Sequence, residues 1–170
     1  MTTTQVVLEP GLLTAVTPVL IDHEGERLAV YKDTLGIPTI GVGFNLTRPD
    51  AAALCQQCGA DYQRLLDGLD ELTIGQSRFL LQQVTIEVIE WMAGMFPLFW
   101  SYSQPRQMAL VDMGFNLGET KFRRFKKMIS CILGNDWRGA ANQALHSTWA
   151  DQVPSRANDD AVLMATPETT

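Results

Sequence analysis

Two carboxylates and a hydroxyl fall within one short stretch of this chain. Glu24, Asp33 and Thr39 follow a Glu-x8-Asp-x5-Thr spacing. A carboxyl pair across a sugar-sized gap is what glycosidic hydrolysis needs. One group protonates the leaving oxygen, and the other activates water or attacks the sugar. Each residue also has a plainer reading. Lys32-Asp33-Thr34-Leu35-Gly36 is good turn chemistry, and Glu24 can be a solvated helix end. Spacing alone leaves both readings open. His23, beside Glu24, is weighed as a base and set aside, because adjacent helical positions point in different directions.

The elements that must position these residues are legible. Residues 11–23 read as a helix with Leu12, Leu13, Val16, Val19 and Leu20 on one side. Pro18 either kinks it or starts it behind a Thr17 cap, and Gly25 ends it in the C′ role. Glu24 therefore sits at a helix C-terminus, whose partial negative charge disfavours a carboxylate. Partial burial acts the same way, so a protonated Glu24 suits a general acid. Residues 28–46 alternate and carry Gly36, Gly41 and Gly43, the pattern of a hairpin or small antiparallel sheet. Asp33 then lies at a hairpin turn beside Lys32, where it stays ionised.

Beyond residue 47 the pattern is helical. Thr47 or Asp50 can cap a helix through 51–58, and a second covers 60–68. Thr73 caps a long helix to about Phe96, apolar nearly all round, which reads as the centre of a helical lobe. Helices follow near 105–116, 121–133, 135–146 and 155–165, and residues 166–170 read as a solvated tail. The fold class is α+β.

The longer string carries more than the spacing does. DHEGERLAVYKDTLGIPTIGVGFNLT resembles the catalytic segment of the T-even phage lysozyme family, glycoside hydrolase family 24. Glu24-Gly25, Tyr31-Lys32-Asp33-Thr34 with Gly36, and Thr39-Ile40-Gly41 with Gly43 match its pattern without a gap. Residues 109–120, AL-VDMGFNLGET, are similar to the family's helix and G-E-T turn. Trp149 with Gln152-Val153-Pro154-Ser155-Arg156-Ala157 is similar to its W-x-x-Q-x-P-x-R-A segment. The resemblance covers most of residues 18–165 and is thinnest between 47 and 105.

The resemblance implies a lysozyme-like fold: a small N-terminal sheet lobe and a larger all-helical lobe, with a cleft between them. It implies one domain, with 12–58 as the small lobe and 59–165 as the helical lobe. It implies Glu24 as general acid, Asp33 as the group that orients and deprotonates water, and Thr39 as a partner of that water. Inversion is the implied outcome. Arg156 is implied to pair with Glu24, and Leu46, Phe115 and Asn116 to line the sugar site together with Arg156. Three positions depart from the pattern: Phe44 where His is frequent, Asn116 where Gln is usual, and Val153 in place of a Thr. With Phe44, a structural ion pair is lost.

Composition bounds the rest. A chain of 170 residues buries roughly 70% of its unfolded surface and needs no staple. The formal net charge of −6 argues against a nucleic-acid partner. Lys121, Arg123, Arg124, Lys126 and Lys127 form a local basic cluster, read as a solvated helix face or as a contact for anionic wall peptides. Cys55, Cys58 and Cys131 are too few for a disulfide framework and are read as buried thiols rather than a redox pair or half a metal site. No run of about 18 apolar residues is present, so no membrane insertion is expected. No Lys or Arg precedes the first apolar stretch, so no basic n-region of a secretory signal is read. Trp91 and Trp149 fall on apolar faces and read as core, while Trp100 lies near a break.

These readings converge on a monomeric muramidase without metal or organic cofactor. It is expected to cleave the β-1,4 bond between N-acetylmuramic acid and N-acetylglucosamine in a peptidoglycan strand. It would be held in a host cytoplasm before release and act on the wall in the periplasm, or be carried in a virion. The rivals are a non-catalytic wall-binding or virion component and a bacterial antagonism toxin.

Overall fold

The computed structural model describes residues 10–167, so the N-terminal reading over 1–9 and the last three residues of the tail lie outside the described residues. The described chain forms two compact units, one of residues 17–85 and one of residues 10–16 with 86–167. Helices α1 (Pro10–Glu24) and α4 (Ile74–Met95) each run from one unit into the other.

In the first unit, β1 (Arg27–Lys32), β2 (Pro38–Gly41) and β3 (Phe44–Asn45) form an antiparallel sheet in the order β1-β2-β3. Tyr31 pairs with Thr39 and Lys32 with Pro38, and the register shifts before Arg27 meets Gly41. Helices α2 (Ala51–Gln57) and α3 (Tyr62–Leu66) follow. Ile40, Phe44, Leu46, Ala51, Cys55, Leu65, Leu72 and Leu80 make one core. Residue 59 onward was expected with the helical lobe, but Leu65 and Leu72 are buried with the sheet, and α3 packs on β1. Asp50 stands at the α2 N-cap position without capping, because its carboxylate takes the Arg48 guanidinium instead. Thr73 does cap α4: its hydroxyl accepts from Gln76 N–H (3.2 Å), and the Gln76 side chain accepts from Thr73 N–H (2.8 Å).

The all-round apolar character of α4 has a physical explanation. Leu80 joins the core of the sheet unit, while Ile89 and Met92 are buried in the helical unit. That second unit contains α5 (Gln104–Leu117), α6 (Glu119–Phe122), α7 (Lys126–Leu133), α8 (Trp137–Leu145), α9 (Thr148–Gln152) and α10 (Pro154–Ala165). Helix α10 packs on α5, α8 and α9, and α7 packs on α8. Trp91 and Phe96 meet Phe122 edge-on, with ring centroids 5.4 and 6.4 Å apart. The expected single helix over 121–133 is two, and α9 was not anticipated. Among the described residues no helix is long and apolar enough to cross a membrane. The fold is α+β and lysozyme-like, as expected.

Candidate active site

Helix α1 delivers Glu24 at its last residue. Gly25 follows at φ +71°, its N–H donating to the Ile21 carbonyl (2.9 Å), which ends the helix. Pro18 lies inside α1 rather than at its start. The half-buried Glu24 carboxyl lies over the turn between β2 and β3: a Cβ built on Gly43 would stand 3.4 Å from Glu24 Oε2. Gly43 has φ +64°, so its lack of a side chain serves the turn.

Asp33 follows β1. Its Oδ1 accepts from the N–H groups of Leu35 and Ile37, both at 2.8 Å. The backbone closes the same turn, with Asp33 N–H to the Ile37 carbonyl and Gly36 N–H to the Asp33 carbonyl, both at 3.0 Å. Two amide donors on one oxygen hold the carboxylate in place. Thr39, 4% exposed, donates its hydroxyl to the Ile37 carbonyl at 3.0 Å.

Tyr31 ties these residues together. It pairs with Thr39 across the sheet, and its ring lies under the Arg27 guanidinium, 4.6 Å away. Burial raises its phenol above the ordinary value; Arg27 works against this, while the charges of Glu24 and Asp33 both add to it. Tyr31 is thus the cross-strand partner of Thr39 and lies within electrostatic range of Glu24 and Asp33. The sequence reading missed the anchor behind them. Glu26 accepts from the Ser77 hydroxyl (2.7 Å) and from Arg78 (2.9 Å), fixing the start of β1 to α4.

Leu46 corrects an expectation. It is fully buried in the sheet unit's core, and its carbonyl accepts from the Tyr62 hydroxyl (2.8 Å). A side chain sealed in the core cannot line a sugar groove. Phe44, 2% exposed, fills the same core with the Arg48 guanidinium 5.5 Å from its ring centre. The aromatic ring replaces polar anchoring by packing and a cation–π contact.

The remaining expected residues lie in the helical unit. Phe115 and Asn116 are half-buried near the end of α5. Asn116 Oδ1 accepts from Trp149 Nε1 at 2.8 Å, so the indole is oriented by the residue that stands where Gln is usual. Arg156 is buried, its Nε 3.2 Å from Asp112 Oδ2. Beside Trp149 lies a hollow of about 520 Å³, lined in part by Lys121, Arg124, Phe125, Ser147, Thr148 and Gln152. Of these, only Lys121 and Arg124 (through the basic cluster) and Gln152 had drawn notice in the sequence. Trp137 is buried and Trp100 exposed. Cys55, Cys58 and Cys131 are free thiols; Cys55 is buried, and the other two are half-buried. Burial, with a smaller effect from Cys58, pushes the Cys55 thiol up to about 11, which makes it a poor nucleophile.

A helix-end glutamate and a turn-held aspartate in one unit are residue types that glycoside hydrolysis uses. Comparison with known proteins gives the class a family. The phage lysozyme family model matches residues 21–156. Probable T4-type lysozyme 1 of Dictyostelium discoideum is 30% identical over 155 residues, covering 86% of this chain and 91% of that protein. Its probable T4-type lysozyme 2 is 29% identical over the same shares. The pre-baseplate central spike protein Gp5 of Enterobacteria phage T4 is 28% identical over 150 residues, 84% of this chain but 26% of that protein. The chain belongs to the phage lysozyme family, and its activity is that of a lysozyme-type glycoside hydrolase acting on peptidoglycan.

Proposed function

We propose that this enzyme cleaves the β-1,4 bond between N-acetylmuramic acid and N-acetylglucosamine with inversion. Glu24 protonates the leaving oxygen, Asp33 deprotonates the attacking water, and the Thr39 hydroxyl helps to hold that water. Phe115, Asn116 and Arg156 contact the glycan. The observation that carries this reading is the unlike setting of two carboxylates around Tyr31. Asp33 is anchored by two amide donors in a turn, whereas Glu24 ends a helix. Two carboxyls held by different elements, one to protonate the leaving oxygen and one to activate water, are what glycoside hydrolysis needs.

Lysis of peptidoglycan suspensions tests it. Glu24→Gln and Asp33→Asn should each lower the rate by about 10²-fold or more while thermal unfolding stays near wild type. Undiminished lysis by either folded variant sinks the assignment. NMR of the freshly released sugar end reports the anomer; retention would exclude Asp33 as a water-activating base.

The match to a phage spike protein favours a second reading of the setting, namely that the domain is carried in a virion. Detection of the chain in purified particles, rather than only in lysates, would decide between that and release from a host cytoplasm to the periplasmic wall. A monomer is the proposed state.

A further inference from the structure

A charged cluster is largely buried within the helical unit. Asp112 in α5 and Asp160 in α10 are both fully buried, and Arg156, one turn before Asp160 on α10, is 6% exposed. Arg156 Nε faces Asp112 Oδ2 at 3.2 Å. Two ionised carboxylates side by side in a helical core are an expensive state. Neither oxygen of Asp160 accepts a hydrogen bond from a donor among the described residues, yet its carboxyl lies within hydrogen-bonding reach of Asp112. Two ionised carboxylates cannot hydrogen-bond each other, whereas a carboxylic acid can donate to a carboxylate.

We propose that Asp112 and Asp160 hold one proton between them, carried by Asp160, and that the pair positions the Arg156 guanidinium for its contact with the glycan. The Asp160 hydroxyl donates to Asp112, which stays charged and keeps an oxygen on Arg156. The direction of the guanidinium is then set by a hydrogen-bonded anion. The positioning role rests on the proposed glycan contact of Arg156; the shared proton does not.

Burial is the largest influence raising Asp160 above its ordinary carboxyl range, the Asp112 charge is next, and Arg156 opposes both. Asp159, also on α10, adds a little in the raising direction. On α5 the buried Arg106 also reaches α10, its Nε donating to the Met164 carbonyl, while α8 and α9 carry Arg138 and Asp151, both exposed. The sign of the linkage follows. The folded chain keeps a proton that the unfolded chain releases above its ordinary carboxyl value of 3.8. This group therefore makes stability fall as pH rises above that value, until the buried acid itself ionises.

Carboxyl-¹³C aspartate labelling with NMR tests the proton directly. One aspartate should remain protonated at about pH 7, and its resonance should vanish in Asp160→Asn. Asp160→Asn should melt with wild type at about pH 3.5 and above it at about pH 7, because the amide keeps the donor without the ionisation. If no aspartate is protonated at neutral pH, or if Asp160→Asn is less stable there than wild type, the shared proton is wrong. For positioning, Asp112→Asn should raise KM for soluble glycan strands severalfold more than it lowers kcat. An unchanged KM in a folded Asp112→Asn variant overturns positioning. If Arg156→Ala also leaves KM unchanged while the protonated aspartate persists, the glycan contact of Arg156 has failed and the buried pair stands.

Discussion

Gly43 is a backbone residue beside the acid. At φ +64° it occupies a region that side chains resist, and a methyl group there would meet Glu24 Oε2 at 3.4 Å, an ordinary contact. Gly43→Ala should therefore cost about 1–2 kcal/mol in denaturant unfolding, through the backbone. Lysis per folded molecule should stay near wild type. A larger loss of lysis would show that Glu24 needs that space empty. Phe44 makes a complementary point. Read from sequence, it looks like a lost ion pair; read from the structure, it is a core residue under Arg48. Phe44→Ala should cost about 3–5 kcal/mol by chemical denaturation, the range for emptying a buried aromatic site. A loss below 1 kcal/mol would mean the ring is not bearing on the core.

Elements with chemical punctuation were legible in the sequence, and those defined by packing were not. Thr73 and Gln76 announce the start of α4, and Gly25 announces the end of α1. Thr73→Ala should cost about 1 kcal/mol in thermal unfolding by removing one side of the capping box. Nothing local marks the break between α6 and α7. Phe122 packs against Trp91 and Phe96, whereas Phe125 packs edge-on against Trp149, and the intervening turn lets the two rings serve different partners. Helix α9 is five residues long, too short for periodicity to show, and only the Ser147 cap on Ala150 N–H hints at it. The segment from Glu24 to Thr39 was legible because its turns demand particular residues. The Asp112–Arg156 pair was not, because it joins two helices more than forty residues apart and only packing of α10 on α5 brings it together. Gly114 was not legible because its role comes from packing on another helix: an added Cβ would come 2.5 Å from Met92 Cε and 2.9 Å from the Trp91 ring. Gly114→Ala should destabilise by about 1–3 kcal/mol through overpacking of α5 against α4, measured by urea unfolding. A neutral or stabilising result would mean the Trp91 ring can move aside.

Over the whole molecule, the charge distribution poses a problem that the local chemistry does not. The chain carries a net charge of −6, and peptidoglycan peptides are themselves anionic, so bulk attraction is absent. The exposed cations Lys121, Arg123, Arg124, Lys126 and Lys127 are concentrated on one short segment of the helical unit. They are not equivalent. Arg123 is tied to Glu119 one turn away, at 2.6 Å, and contributes little outward field. Lys121 and Arg124 instead line the hollow beside Trp149, where a peptide carboxylate would meet both charge and an aromatic wall. Changing Lys121 and Arg124 together to Gln should slow lysis at about 10 mM salt, where fields reach roughly 30 Å. The deficit should shrink at about 150 mM, where they reach about 8 Å. Arg123→Gln should change little at either concentration, since its charge is already answered. A salt-independent deficit in the double variant would mean that those side chains act by contact rather than by field. No deficit at any salt would leave the cluster as a solvated face, with wall recognition resting on the sugar contacts alone.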